Sequence, residues 1–148
     1  MNWIDLKNNI YYCDGSLRDI YILDINKSDW KKWVDYVNNN YKVIWFNGLL
    51  SKDENQINFS VIDDYWEGKH DLCSTAKICI NDFQINTHFF DDSEIENDID
   101  PREFNSIDDH NKLIKYLIDL STLLDKEIIL TPENEQETVL LRIFKHLD

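Results

Sequence analysis

Three features of the sequence predict an α+β fold, with a mostly antiparallel sheet packed against two main helices. Two segments, one around Trp30 and one after Ser106, repeat apolar residues at helical spacing. Between them, two alternating segments meet at Asn81-Asp82, the pattern of a β-hairpin. The chain has 148 residues, 43% hydrophobic and 13% aromatic, enough to fill the core of a single domain spanning 1–148.

Leu17–Asp24 is rich in β-formers and follows the turn-like Asp14-Gly15-Ser16, which predicts a strand, with Tyr11 and Tyr12 assigned to an earlier one. Ser28 then reads as a helix N-cap, with Asp29 in the first turn where the helix dipole favours a carboxylate. Trp30, Trp33, Val34 and Val37 fall at i, i+3, i+4 and i+7, giving an aromatic inner face that ends at Asn38-Asn39-Asn40. Lys42–Phe46 predicts the next strand and Ser51–Gln56 a polar loop. Ser60–Glu67 reads as a short helix capped by Ser60 and stopped by Gly68.

The hairpin joins Ala76–Ile80 to Phe83–Phe89, because Asn and Asp both tolerate positive φ in a two-residue loop. The register pairs Ile80 with Phe83, Ile78 with Ile85 and Ala76 with Thr87 on one face. Cys79, Gln84, Lys77 and Asn86 share the other face. Glu94–Asp100 extends the sheet until Pro101 ends it. Ser106 caps a helix from Ile107 to Leu124 whose buried side carries Leu113, Ile114, Leu117, Leu120 and Leu124. Glu127–Leu130 reads as a strand, Thr131–Asn134 as a turn and Thr138–Phe144 as a last strand, with a short helix the competing reading.

The charge narrows the function. With 29 Asp and Glu against 15 Lys and Arg, the net charge is −14, and a phosphate backbone would be repelled, so nucleic acid is not the expected partner. No apolar run reaches the 18 residues of a membrane span, and the first residues lack a basic segment followed by an apolar one. Three cysteines without a CxxC make no disulfide framework, and a cytoplasmic location is expected. The four histidines have no zinc-site spacing, the EF-hand loop is absent, and phosphate-cradling glycine motifs are missing. No catalytic residue, metal or cofactor is therefore expected. His88 falls opposite Thr75 and near Cys73, a superficial likeness to a Cys–His pair, and a small enzyme built on Cys73 or Cys79 with His88 is the weakest reading. His110, in the first turn of its helix, reads as a surface residue that resists protonation.

Two acidic groups stand out. Asp91, Asp92, Glu94, Glu96, Asp98, Asp100 and Glu103 fall within thirteen residues, with Arg102 the one opposing charge. On a strand, Glu94, Glu96, Asp98 and Asp100 share one face while Ile95 and Ile99 take the other. Each neighbouring pair, roughly 7 Å apart in high dielectric, costs less than about 1 kcal/mol and gives folding nothing in return. The face is a docking surface for a basic partner, a solvated strand face or, the least favoured of the three, a metal site. The second group is Asp63, Asp64, Glu67 and Asp71 around Tyr65 and Trp66, an aromatic anchor ringed by charge or else a half-buried core residue with exposed acids. The partner-binding candidates are Asp91, Asp92, Glu94, Glu96, Asp98 and Asp100, together with Asp63, Asp64, Trp66 and Glu67.

The segments Leu17–Ile22 with Asp29-Trp30, Glu94–Glu103, and Ile129–Asn134 resemble small bacterial immunity proteins encoded beside polymorphic toxins, including those of contact-dependent inhibition systems. The resemblance implies a cytoplasmic, non-enzymatic protein that binds and neutralises the C-terminal toxin domain of a cognate effector. Many such toxins are nucleases with basic clefts, toward which an acidic inhibitor is steered. The alternative is a phage-type acidic inhibitor or nucleic-acid mimic that blocks a host enzyme.

Overall fold

The computed structural model describes residues 2–72 and 74–147. Its elements, in chain order, are α1 (Trp3–Asn9), β1 (Arg18–Ile22), α2 (Lys27–Asn40), β2 (Lys42–Asn47), β3 (Lys52–Glu54), α3 (Phe59–Trp66), β4 (Thr75–Ile80), β5 (Phe83–His88), β6 (Ile95–Ile99), a 3-10 turn at Pro101–Glu103, α4 (Ile107–Leu124), β7 (Ile128–Pro132) and β8 (Leu141–Ile143). The strands form one eight-stranded sheet in the order β3-β2-β4-β5-β6-β1-β7-β8, and every neighbouring pair is antiparallel. The fold is α+β, as the sequence predicts.

The hairpin forms in the predicted register, Ile80↔Phe83, Ile78↔Ile85 and Ala76↔Thr87, because both strands alternate in phase and a one-residue slip would turn every apolar side chain outward. Of its two loop residues, Asn81 takes the positive φ, at 50°. Helix α4 spans the predicted residues, ends on Asp125 in the left-handed region, and buries Leu113, Ile114, Leu117, Leu120 and Leu124. Trp30, Trp33, Val34 and Val37 of α2 are buried beside it, with Trp33 Nε1 donating to Tyr116 Oη at 3.0 Å.

All four helices pack on one face of the sheet. Tyr11, just after α1, stacks on Phe104, which in turn stacks on the core-facing Phe83. Trp66 of α3 lies against Trp30. The opposite face is left to strand side chains and to the β7–β8 loop. Among the described residues no helix is long and apolar enough to cross a membrane.

Several sequence expectations need correction. Tyr11 and Tyr12 follow a helix and belong to no strand; Leu6 and Ile10 bury α1's inner side, and Asn2 caps it. The N-cap of α2 is Asn26, not Ser28, in a reciprocal capping box with Asp29. The cap of α3 is Asn58, not Ser60. The supposed loop at Ser51–Gln56 contains edge strand β3, whose polar residues pair through their backbone with Trp45–Asn47. Thr131 and Pro132 belong to β7, with the turn beginning at Glu133. β8 is only three residues long. His110 is buried, 5% exposed, with Nδ1 2.7 Å from Tyr11 Oη, rather than on the surface. Burial keeps its pKa below the usual histidine range, so the expected resistance to protonation has desolvation as its main cause.

Candidate functional site

Strand β6 lies inside the sheet, between β5 and β1. Its buried positions are Ile95, Asn97 and Ile99, and Asn97 is satisfied by accepting from Thr87 Oγ1 at 2.7 Å and donating to Ile20 O at 3.1 Å. Glu96 and Asp98 therefore point to the helix-free face, and strand parity carries Glu94 and Asp100 with them.

The neighbouring strands decide what these acids meet. Asp98 faces Asp19 of β1 on one side and Asn86 of β5 on the other. Glu96 faces Tyr21 and His88. Asp98 accepts from Asn86 Nδ2 at 2.8 Å and lies 2.5 Å from His88 Nε2. Asp19, 7% exposed, accepts from Asn134 N at 2.9 Å and from Tyr21 Oη at 3.1 Å, donors that the β1–β7 end of the sheet supplies. Three carboxylates and one imidazole thus share one patch.

Their protonation reflects that crowding. The hydrogen bond that His88 donates to Asp98 raises the His88 pKa against the opposing effect of burial, and the charges of Glu96 and Asp19 add to it. Desolvation raises the Asp19 carboxyl above its usual range, more than its hydrogen bonds lower it. Glu96 is raised by desolvation and by the charges of Glu94 and Asp19. Asp100 is pulled below the usual range by hydrogen bonds from Arg102, whose guanidinium lies 2.7 Å away. The internal cations therefore serve Asp98 and Asp100, while Glu94 and Glu96 have no ion pair among the described residues.

The second acidic group divides. Lys27 bridges Asp63 at 2.7 Å and also pairs with Glu67, and Lys69 lies 3.3 Å from Asp64. Trp66 is half-buried against Trp30 and Phe59 and donates from Nε1 to Phe89 O at 3.0 Å, which makes it a packing residue with an exposed edge. Asp71 joins Asp91 and Asp92 from the first group in a cleft of about 340 Å³ that Trp66 also lines, together with Tyr65, Gly68, His70 and Phe90. Phe90 is 59% exposed and stacks on His88, with ring centroids 5.1 Å apart.

The sequence reading did not single out Asp19, Tyr21, His88 or Phe90 as parts of this surface. Continuing the hairpin's alternation through 84, 86 and 88 reaches Phe90, a signal that was available. Asp19 and Tyr21 carry no such signal, because their place beside β6 depends on strand order. The thiol–imidazole pairing finds no support at Cys79, which pairs with Gln84 and Lys42 and lies four residues along β4 from Thr75, the partner of His88. That separation is about 13 Å along a strand. Cys73 lies outside the described residues. Among the described residues no three His, Cys, Asp or Glu side chains are arranged to hold a metal ion.

Comparison with protein-family models, curated proteins and solved structures found no match. Any functional reading therefore rests on the geometry just described and on the resemblance seen in the sequence.

Proposed function

We propose that this chain is an immunity protein that binds and neutralises a cognate bacterial toxin domain of basic character, a nuclease being the best-fitting class. One observation carries the reading: carboxylates are gathered on the helix-free sheet face although they repel one another. Asp19 stands directly opposite Asp98, and Glu96 sits beside both with Glu94 next along the strand. Like charges opposed across a sheet destabilise it; hydrogen bonds from Asn86, His88, Asn134 and Tyr21 offset this for Asp98 and Asp19, while Glu94 and Glu96 have no ion pair among the described residues. A cationic partner that settles on the face relieves the repulsion, and the protein's field steers that partner in.

The rival reading, a nucleic-acid mimic, needs a long track of exposed carboxylates spaced like phosphates. The β6 track is short of that, since Asp98 and Asp100 are already engaged by His88 and Arg102. The test is co-expression with the C-terminal domain of a toxin encoded immediately upstream. Growth rescue and co-purification, with kon falling as salt rises, are the expected results. Absence of such a gene, or failure of rescue and binding, removes the proposal.

A further inference from the structure

Five of the ten exposed large apolar side chains among the described residues lie on segments that meet at one end of the sheet, near the C-terminal end of α3. Phe46, one residue beyond the paired Trp45↔Ala76, falls opposite Thr75. Thr75 Oγ1 lies 3.3 Å from His88 Nδ1, and His88 stacks on Phe90. Leu72 closes the other side of this arc: it packs so tightly over Gly48 that a Cβ there would come within 3.0 Å of Leu72 Cβ. Its amide also donates to Nδ1 of His70, which shares the cleft with Phe90. Gly48 leads directly into Leu49 and Leu50 at the tip of the β2–β3 hairpin. Phe46, Leu49, Leu50, Leu72 and Phe90 are 46%, 48%, 59%, 45% and 59% exposed.

We infer that this apolar end of the sheet is the anchor of a protein–protein interface. Its partner is a basic protein surface that lays an apolar side chain over Phe46, Leu72 and Phe90 and sets a lysine or arginine into the adjoining acidic cleft. This deepens the proposed function and rests on it for the partner's identity, but the patch is a separate observation from the acids of β6. Exposed apolar side chains beside a charged rim have the anatomy of a binding hot spot. The rim here is Asp71, Asp91 and Asp92, and Phe90 within it offers a ring face to a cation. The same rim chooses among occupants. A second copy of the chain brings another charge of −14 against it, and an anionic membrane surface is repelled in the same way. A cationic protein gains both terms.

Two measurements test the inference. In the first, the full chain is titrated by NMR with two synthetic peptides of equal charge, an amphipathic Leu–Lys peptide and oligolysine. The Leu–Lys peptide is expected to bind at least tenfold more tightly, with shifts concentrated at residues 46–50, 70–72 and 88–92. The double variant Phe90→Ser with Leu72→Ser should reduce it to the affinity of oligolysine, whereas Ile4→Ser, at another exposed apolar position, should not. Equal affinity for the two peptides, an unaffected double variant, or shifts centred elsewhere overturns the inference. In the second, the toxin domain replaces the peptides, and the double variant is expected to raise koff at least tenfold. Wild-type binding with a double variant within twofold of it sinks the anchor and leaves the proposed function standing. Absence of wild-type binding sinks the proposed function, and the peptide titration then decides the anchor alone.

Discussion

Asp19 and Asp98 stand directly opposite each other on adjacent antiparallel strands, two carboxylates on the same face of the sheet. Asp98 is compensated by Asn86 and His88; Asp19 is held by one backbone amide and one phenol, with no cation. Asp19→Asn removes the repulsion and keeps an oxygen for the amide of Asn134. The variant should be more stable than wild type at pH 8 by about 0.5–1 kcal/mol, or about 2–3 °C in Tm. A lower melting temperature would show that the negative charge of Asp19 is itself stabilising.

His88 makes the same patch pH-dependent. Its folded pKa is raised, so its contribution is fully present below the unfolded value of about 6.5 and is lost as pH rises through the folded pKa. The stability gap between wild type and His88→Gln, read from urea unfolding, should be about 1 kcal/mol at pH 5.5, allowing for partial exposure, and shrink above neutrality. Asp19 and Glu96 act in the same direction at lower pH: their raised carboxyls take up protons in the folded state before the unfolded chain does, which stabilises on acidification. His110 opposes them, since its lowered pKa leaves the unfolded chain to bind the proton first below about 6.5. Comparing wild type with His88→Gln at each pH cancels the His110 contribution, whereas Glu96 and Asp19 sense the His88 charge and form part of the gap. A gap that widens with rising pH contradicts the assigned pairing.

Arg18 predicts a large loss of stability unrelated to binding. Its guanidinium is fully buried and donates to Ile10 O at 2.7 Å, to Leu17 O at 2.9 Å, to Ser16 Oγ at 3.0 Å and to Tyr12 O. It ties the end of α1 and the following loop to the first residue of β1. Arg18→Met leaves those carbonyls without a donor and should cost about 3–4 kcal/mol in urea unfolding. Arg18→Lys should recover only a small part, because an ammonium cannot span the same fork. A loss below about 1 kcal/mol for Arg18→Met would mean that the loop is held by something else.

What could be read in advance followed how strongly local pattern constrains the chain. The β4–β5 register was legible because alternation on both strands admits one pairing with the apolar residues inward. The long helix α4 was legible because its stripe repeats over eighteen residues. Helix α1 was not, since seven residues are too few to show a period and the helix depends on docking Leu6 and Ile10. Strand β3 carries only Lys, Asp and Glu, and is a strand through backbone pairing alone. The helix caps were misplaced by two residues in α2 and α3 because Ser and Asn are both good caps and each start offered one of each. His110 was hidden because its partner, Tyr11, is 99 residues distant. At the candidate site, parity alone put Glu94, Glu96, Asp98 and Asp100 on one face. That β1 lies beside β6, bringing Asp19 to Asp98, follows from long-range strand order, which no local spacing encodes.

That strand order also divides the acids by what they can do for association, which gives the last prediction. Asp63 and Glu67 share Lys27, which offsets half of their charge, and Arg102 offsets Asp100, so an approaching cation meets less of their charge. Glu94 and Glu96 are in no salt bridge among the described residues, although Glu96 senses the charge of His88. Replacing both by lysine should lower kon for the toxin domain by about tenfold at low salt, with the difference fading as the Debye length shortens. Asp63→Asn with Glu67→Gln should leave kon within about twofold, since Lys27 already offsets half of the charge that is removed. Stopped-flow association at two salt concentrations separates the cases. The Asp63 and Glu67 variant shifts the net charge by half as much as the Glu94 and Glu96 variant, so if it slowed association by about threefold, half the effect on a logarithmic scale, steering would depend on net charge alone and the β6 face would lose its special place.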